Sequence, residues 1–153
     1  MQNNLLQKHI TYKVEKLEEL DQIVDFIKFN IKDTIYIIYL RGNLGAGKTT
    51  LASKLIKSLG SEEIINSPTF TYLKTYLVGN RTIYHYDLYR INELASKDEK
   101  LEILEQIGYQ ESLGDKTGLL LIEWPEKCHE VLPKPNMEIS IIHNTNRTIN
   151  INY

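Results

Sequence analysis

An octapeptide with the composition of a phosphate-binding loop lies in the first third of the chain. Residues 42–49 read Gly-Asn-Leu-Gly-Ala-Gly-Lys-Thr and fit the pattern G-x-x-x-x-G-K-[ST] in full. The glycines allow backbone angles that turn successive N–H groups inward, which makes a nest for anions. Lys48 would reach the β- and γ-phosphates of a nucleotide, and the Thr49 hydroxyl would bind Mg²⁺. The sequence therefore predicts a P-loop nucleotide site.

The surroundings of this loop strengthen the prediction. At ordinary composition, a chain of this length contains such an octapeptide by chance on the order of once in two hundred. An apolar run precedes the loop and an amphipathic helix follows it, which disfavours the alternative of a glycine turn with an unrelated lysine. The helix that begins near Lys48 would add the positive end of its dipole. The predicted nucleotide-binding residues here are Asn43, Leu44, Gly45, Ala46, Gly47, Lys48, Thr49 and Thr50.

In addition to the P-loop hydroxyl, a P-loop protein needs an acidic side chain to hold its metal ion, and this residue usually lies at the end of a buried strand. Glu123 ends the fully apolar run 119–122 and, if the strands are parallel, points toward the sheet edge that carries the loop. Asp87 ends the run 82–86, whose alternation predicts a half-exposed strand. We assign Glu123 with Thr49 to Mg²⁺, directly or through water.

Asp87 is then available for the chemical step, and we expect it to orient or deprotonate the attacking water. Together with Lys48 it is a predicted catalytic residue. The alternative is that Asp87 is a surface carboxylate paired with Arg90, three residues further along the chain. Nearby His85 is interpreted as a packing or hydrogen-bonding residue, with a catalytic role as the alternative.

The segment 67–71, Ser-Pro-Thr-Phe-Thr, follows the second predicted helix. Many P-loop proteins carry a mobile loop at this place that senses the γ-phosphate. Thr69 and Thr71 are the predicted switch residues because either hydroxyl could bind phosphate or Mg²⁺. The alternative is an ordinary strand entry set by Pro68.

Hydrophobic periodicity predicts the elements that position these residues. An apolar pattern from Val14 to Ile31 predicts a first helix over residues 16–30. Two further helices are predicted, one after Lys48 that Gly60 closes and one capped by Asp98 that ends at Gly108. The predicted strands are residues 35–40, 69–77 paired with 82–88 as a hairpin, 119–122, 137–143 and 148–152, with a turn over 144–147. This order predicts an α/β fold of the P-loop NTPase type, with a mixed sheet that includes an antiparallel hairpin and helices on both faces.

Composition limits the class of protein. A chain of 153 residues with 42% hydrophobic and 25% charged residues is expected to form one soluble domain over residues 1–153. The net charge of −2 argues against a dedicated nucleic-acid or membrane-surface binder. Apolar runs are too short for a transmembrane helix, and residues 1–8 do not resemble a signal peptide, so we expect a cytoplasmic protein.

The single cysteine, Cys128, gives no disulfide framework, and the histidines show no ligand spacing with it, so no zinc is expected. Acidic residues are concentrated in the range 93–130, which carries 10 Asp and Glu against 4 Lys and Arg. This concentration is typical of a solvated helix face and also suits a docking surface for a partner.

Four motifs, taken together, resemble the TsaE (YjeE) family of ATPases. They are Gly-Asn-Leu-Gly-Ala-Gly-Lys-Thr-Thr at 42–50, Ser-Pro-Thr-Phe at 67–70, His-Tyr-Asp-Leu-Tyr-Arg at 85–90 and Ile-Glu-Trp-Pro-Glu at 122–126. The resemblance extends from about residue 15 to the end of the chain. It implies that Thr49 and Glu123 bind Mg²⁺, that Asp87 is needed for hydrolysis, and that Trp124 lies near the nucleotide.

The resemblance also implies a role in bacterial tRNA threonylcarbamoyladenosine biosynthesis. The expected partners are the TsaB–TsaD pair, which transfers threonylcarbamoyl to adenosine 37 of tRNA, so tRNA would be met only through that complex. ATP would be the substrate, Mg²⁺ the cofactor, and hydrolysis, low for the protein alone and stimulated by the partner, would reset the pair between turnovers. The chain departs from the family pattern at two positions. Asn43 stands where Asp is common, and Leu20 follows the acidic pair Glu18-Glu19 where a small polar residue is often found.

Three other functions fit parts of the pattern. A small-molecule kinase would need lid arginines to neutralise the transferred charge, and the range 123–146 contains none. A GTPase switch would need its D-x-x-G motif after an apolar strand, whereas residues 115–118 precede one and no N-K-x-D motif occurs. A nucleotide-gated binding module with incidental hydrolysis overlaps the favoured function, and partner-stimulated turnover distinguishes the two.

Overall fold

Seven strands form one mixed sheet in the computed structural model of the chain, which describes residues 8–153. The strands are β1 (His9–Val14), β2 (Tyr36–Arg41), β3 (Leu73–Val78), β4 (Arg81–Asp87), β5 (Leu119–Glu123), β6 (Met137–His143) and β7 (Arg147–Asn152). Their order across the sheet is β1-β7-β6-β2-β5-β4-β3. Strands β4, β5, β2 and β6 are mutually parallel, whereas β1–β7, β6–β7 and β3–β4 pair antiparallel. The predicted mixed sheet with an antiparallel hairpin is confirmed.

Helices cover both faces of the sheet. They are α1 (Leu20–Asn30), α2 (Lys48–Ser58), α3 (Lys97–Gln106) and α4 (Tyr109–Gly114), with 3₁₀ turns at Leu17–Glu19 and Pro125–Lys127. On the central strand β2, Ile38 packs with α1 and α2, while Ile37 packs with α3 and α4. A strand covered on both faces needs apolar side chains at every position, which explains its unbroken apolar run. Among residues 8–153, no helix has the length and apolar character needed to span a membrane.

The N-terminal part of the chain differs from the sequence prediction. Val14 was expected to begin the pattern of the first helix, but it is the last residue of an unpredicted strand and pairs with Arg147. The interpretation of the N-terminal segment as lacking a signal peptide concerns mainly residues 1–7, which lie outside the described part of the chain.

Three other element boundaries also differ. The hairpin begins at Leu73 rather than Thr69, because Tyr72 has a φ of 62° that interrupts an extended strand. Helix α3 is capped by Ser96 rather than Asp98, which lies in the first turn. The short helix α4 was not predicted, and Arg147, expected in the closing turn, begins β7.

The parallel strands place the predicted chemistry at one sheet edge. Strands β2, β4 and β5 all end there, with Leu40 opposite Glu123 and Asp87 opposite Glu123 in the register. The P-loop leaves β2 at this edge and enters α2. Side chains from three separate stretches of sequence therefore meet within a small volume.

Candidate nucleotide-binding site

The loop between β2 and α2 adopts a conformation that depends on glycine. Gly42 has a φ of 149°, and a Cβ atom there would lie 2.7 Å from the carbonyl oxygen of Ile141 in β6. Gly47 has a φ of 113° and caps the N-terminus of α2. The first N–H groups of that helix have no acceptors within the helix, and together with its dipole they favour an anion.

Lys48 is held inside the loop. Its side chain is buried, and Nζ donates to the carbonyl oxygens of Gly42 at 2.5 Å and Asn43 at 3.0 Å. Nζ also lies 4.0 Å from the centre of the Trp124 ring, a favourable cation–π arrangement. Burial lowers the pKa of Lys48, and nearby carboxylates, Glu123 first among them, act in the opposite direction. The lysine is therefore a desolvated cation at the base of the loop.

Glu123 is only 1% exposed and faces the start of α2. The Thr49 hydroxyl oxygen lies 3.1 Å from Oε1 and 3.0 Å from Oε2 of this carboxylate. Nε2 of His85 lies 2.7 Å from Oε1. Carboxylate and hydroxyl oxygens are hard donors, and Mg²⁺ is usually bound by one or two carboxylates together with phosphate oxygens. The residues present therefore fit a magnesium ion beside the P-loop.

Asp87 is buried, with 3% of its surface exposed, beside Glu123. Its Oδ2 accepts hydrogen bonds from the Ser67 hydroxyl and, at 2.7 Å, from the Thr69 hydroxyl. Its Oδ1 accepts from the backbone N–H of Tyr89 at 3.0 Å. These contacts fix the orientation of the carboxylate.

The half-exposed strand predicted over 82–86 is observed only in part. Ile83 and His85 are buried and their neighbours partly exposed, as alternation predicts, but Tyr86 and Asp87 are both buried because both faces of the sheet are covered at this end of β4. Asp87 is therefore not a surface carboxylate paired with Arg90. The Arg90 guanidinium instead lies 5.2 Å from the centre of the exposed Phe70 ring.

An open cavity of about 360 Å³ connects these groups. It is lined by Leu44, Gly45, Gly47, Lys48, Thr49, Thr50, Ser67, Thr69, Asp87, Tyr89, Glu123, Trp124 and Arg147. Three of the predicted site residues are not part of this lining. Asn43 is exposed and contributes its carbonyl to Lys48, and Ala46 faces a neighbouring cavity. Thr71 is exposed and donates to the carbonyl oxygen of Leu73 at 3.3 Å.

The neighbouring cavity, of about 120 Å³, lies on the other side of the loop. Its apolar lining consists of Val14, Leu17, Leu20, Ala46, Ile141 and Ile149. It shares Gly47, Thr50 and Arg147 with the first cavity. The two cavities thus place a polar surface next to an apolar one. A nucleotide has the same arrangement, with charged phosphates at one end and a largely apolar base at the other.

Three residues of the larger cavity were not assigned from the sequence. Ser67 adjoins the predicted switch threonine, and Tyr89 follows Asp87 by two residues, so proximity in sequence could have indicated both. The Tyr89 ring lies 4.9 Å from that of Trp124. Arg147 donates from Nε to the carbonyl oxygen of Ala46 at 2.9 Å. No local signal indicates that arginine, because 101 residues separate it from the loop it contacts.

Comparison with known proteins gives a consistent result. Residues 12–150 match the family model described as threonylcarbamoyl adenosine biosynthesis protein TsaE. Relatives named tRNA threonylcarbamoyladenosine biosynthesis protein TsaE are 37% identical in Haemophilus influenzae, 42% in Rickettsia felis and 38% in Bacillus subtilis. Each match covers 69% of this chain and 61%, 57% and 60% of the respective relative, so the chain spans about six tenths of their length.

A solved structure is also similar to this fold. The crystal structure of Bacillus subtilis YdiB superposes with a TM-score of 0.71 and 26% sequence identity. The superposition covers 96% of this chain and 86% of that one. Together with the loop between β2 and α2, this likeness confirms the predicted α/β fold of the P-loop NTPase type.

Proposed function

Because the chain belongs to the TsaE family of threonylcarbamoyladenosine biosynthesis proteins, we propose that it binds and hydrolyses ATP within the machinery that modifies tRNA. The observation that carries this proposal is the set of contacts around the P-loop. A buried lysine, a hydroxyl paired with a buried carboxylate, and a second, separately held carboxylate line one cavity. These are the groups that phosphate binding, metal binding and water positioning require.

The triphosphate occupies the larger cavity. Loop N–H groups and the Lys48 ammonium bind the β- and γ-phosphates, so Nζ exchanges its two carbonyl acceptors for phosphate oxygens. Thr49 and Glu123 hold Mg²⁺, which when bound neutralises negative charge on the phosphates. The base lies in the apolar cavity beside β1, where Leu17 and Leu20 provide contact surface.

Asp87 acts on the attacking water. Hydrogen bonds from Ser67, Thr69 and the Tyr89 N–H leave its carboxylate oriented toward the cavity, where it positions the water and accepts a proton from it. Two cationic side chains that line the cavity, Lys48 and Arg147, face the phosphates and offset their negative charge.

Hydrolysis serves a partner, the TsaB–TsaD pair, which it resets between transfers to tRNA. Support comes from the segment 67–71, whose Ser67 and Thr69 hydroxyls donate to Asp87. Phe70 in this segment is 83% exposed. Leu44, at the mouth of the cavity, is 72% exposed. A partner that contacts these side chains could change the geometry of Asp87, which gives a physical route from binding to turnover. Partners of this kind act on tRNA, so we expect the protein to work in the cytoplasm.

Steady-state ATP hydrolysis, measured with Mg²⁺ for the protein alone and with purified TsaB–TsaD, tests the proposal. We expect slow turnover alone and a stimulation that Lys48→Ala abolishes. Equal turnover with and without the partner would contradict the partner-coupled role. A kinase or a stand-alone ATPase would then be the function to test.

A further inference from the structure

His85 is a fully buried polar side chain whose role the proposed chemistry does not yet include. It lies on β4 with 0% of its surface exposed. Nε2 is 2.7 Å from Oε1 of Glu123, while Nδ1 has no hydrogen-bond partner among the described residues. Because an ionised carboxylate can only accept, we assign the proton to Nε2, which then donates to Glu123.

The sheet register explains how the two side chains meet. His85 is opposite Leu121 on β5, and Asp87 is opposite Glu123. Because side chains two residues apart on a strand point to the same face, His85 and Asp87 both face the start of α2. The imidazole therefore lies under the Glu123 carboxylate, and Thr49 contacts that carboxylate from the helix.

An apolar residue would be easier to bury at this position. The same face of the sheet carries Ile83 on β4 and Leu121 on β5, both fully buried. Burying a polar ring in such surroundings, with one nitrogen unpaired, costs free energy that a leucine would not incur. Among the described residues, the His85 side chain makes its one hydrogen bond to Glu123, and this contact offsets part of the free-energy cost of burying the ring.

We propose that His85 is a positioning residue for the metal site. It holds the Glu123 carboxylate in the orientation that faces Thr49, so both oxygen donors are in place before Mg²⁺ and nucleotide bind. Groups that orient metal ligands in this way typically change metal affinity by about 10- to 100-fold when they are removed. This inference rests on the proposed nucleotide function and adds a residue to it.

Calorimetric titration with ADP, in Mg²⁺ and in EDTA, tests the inference by binding alone. Three variants are compared with the wild type: His85→Leu removes the donor, His85→Gln keeps a donor of similar reach, and His85→Asn keeps one that is too short. We expect Mg²⁺ to strengthen ADP binding by the wild type. His85→Leu and His85→Asn should require about 10- to 100-fold more Mg²⁺ for the same effect, with affinity in EDTA unchanged. His85→Gln should have an Mg²⁺ requirement close to that of the wild type.

A matched control is Tyr86→Phe. Tyr86 lies next to His85 on β4 but faces the opposite side of the sheet, and the substitution removes its buried hydrogen bond to Ser112 of α4. This variant should lose thermal stability and keep the wild-type Mg²⁺ requirement. Should His85→Leu fail to fold, the contrast between His85→Gln and His85→Asn gives the same comparison.

Two results would overturn the positioning role alone. One is an unchanged Mg²⁺ requirement in His85→Leu, or in His85→Asn if the leucine variant does not fold. The other is equal loss in the glutamine and asparagine variants, which would show that the hydrogen bond is not what matters. Failure of the wild type to bind ADP, or to bind it more tightly with Mg²⁺, would overturn both this inference and the proposed function.

Discussion

Asp87 and Glu123 are register partners on adjacent parallel strands, yet their carboxylates make separate sets of hydrogen bonds. Asp87 accepts from the hydroxyls of the segment 67–69, whereas Glu123 contacts Thr49 and His85. Two neighbouring buried carboxylates repel each other, and the hydrogen bonds that each accepts from its own donors offset part of that cost. Their different partners support the division of roles that we propose, with Glu123 at the metal and Asp87 at the attacking water.

Lys48→Ala should weaken ATP binding by about 10- to 100-fold, because a hydrogen bond to a charged group contributes about 1.5–3 kcal/mol. ATP binding is measured from the change in fluorescence of the single tryptophan, Trp124, whose ring centre lies 4.0 Å from the Lys48 ammonium nitrogen. Lys54→Ala, a lysine on α2 that pairs with Asp21, is the matched control and should bind like the wild type. Wild-type affinity in Lys48→Ala would contradict the placement of the phosphates.

Asp87→Asn should leave ATP binding within a few-fold of the wild type and reduce hydrolysis by about 10²- to 10⁴-fold, the usual contribution of a general base. The side chain keeps its size, and the hydroxyls of Ser67 and Thr69 can still donate to the amide oxygen. Binding and single-turnover hydrolysis are measured separately. Hydrolysis at the wild-type rate would show that the assigned role is wrong.

Glu123→Gln should raise the Mg²⁺ concentration needed for tight nucleotide binding, since a neutral amide is a weaker ligand for a hard cation than a carboxylate. Glu126→Gln is a suitable control because Glu126 is a nearby carboxylate that pairs with Arg41. The Mg²⁺ requirement is obtained from ADP titrations at several metal concentrations. If it is unchanged in Glu123→Gln, the metal assignment moves to Asp87.

Leu17→Ala should weaken ATP and ADP binding by roughly fivefold, about 1 kcal/mol, through lost apolar contact with the base. Binding of inorganic tripolyphosphate, which has no base, should be unaffected. Phe29→Ala serves as the control because this side chain is 88% exposed on α1 and does not line the cavity. Equal loss for tripolyphosphate would place the base elsewhere.

Ser96→Ala should lower the free energy of unfolding by about 1 kcal/mol at pH 7, the usual effect of losing an N-cap. Ser96 Oγ accepts from the Glu99 N–H at 3.2 Å, and Glu99 accepts from the Ser96 N–H at 2.6 Å. Asp98→Ala, at the position expected from the sequence to cap α3, should have a smaller effect. Urea unfolding of both variants checks the assignment.

The capping contact also predicts a pH dependence. Its backbone hydrogen bond lowers the pKa of Glu99 from the ordinary value of 4.5. A lowered pKa in the folded state means that the contribution is fully present above pH 4.5 and is lost as the pH falls through the folded value. The difference in stability between wild type and Glu99→Gln should therefore shrink in acid. A difference that grows as the pH falls would contradict the capping contact.

The sequence by itself determined the P-loop, both candidate carboxylates and most elements of the sheet. The loop is a contiguous octapeptide whose conformation depends on its own glycines, and the carboxylates each follow a run of strand-forming residues. The central strands were recognisable because burial on both faces requires apolar side chains at successive positions. These signals are local, so no knowledge of the fold is needed to find them.

The tertiary structure decided the contacts themselves. Thr49 and Glu123, 74 residues apart, were expected to meet only if the strands are parallel, and nothing in the sequence paired His85 with Glu123, 38 residues away. His85 is buried and hydrogen-bonded, as the sequence indicated, but the alternation over 82–86 did not show that Tyr86 and Asp87 are buried as well. Tyr86 is buried on the other face of the sheet, where its hydroxyl donates to Ser112. Strand order and register create such pairs, and these follow from how the whole sheet buries its apolar faces rather than from any one segment.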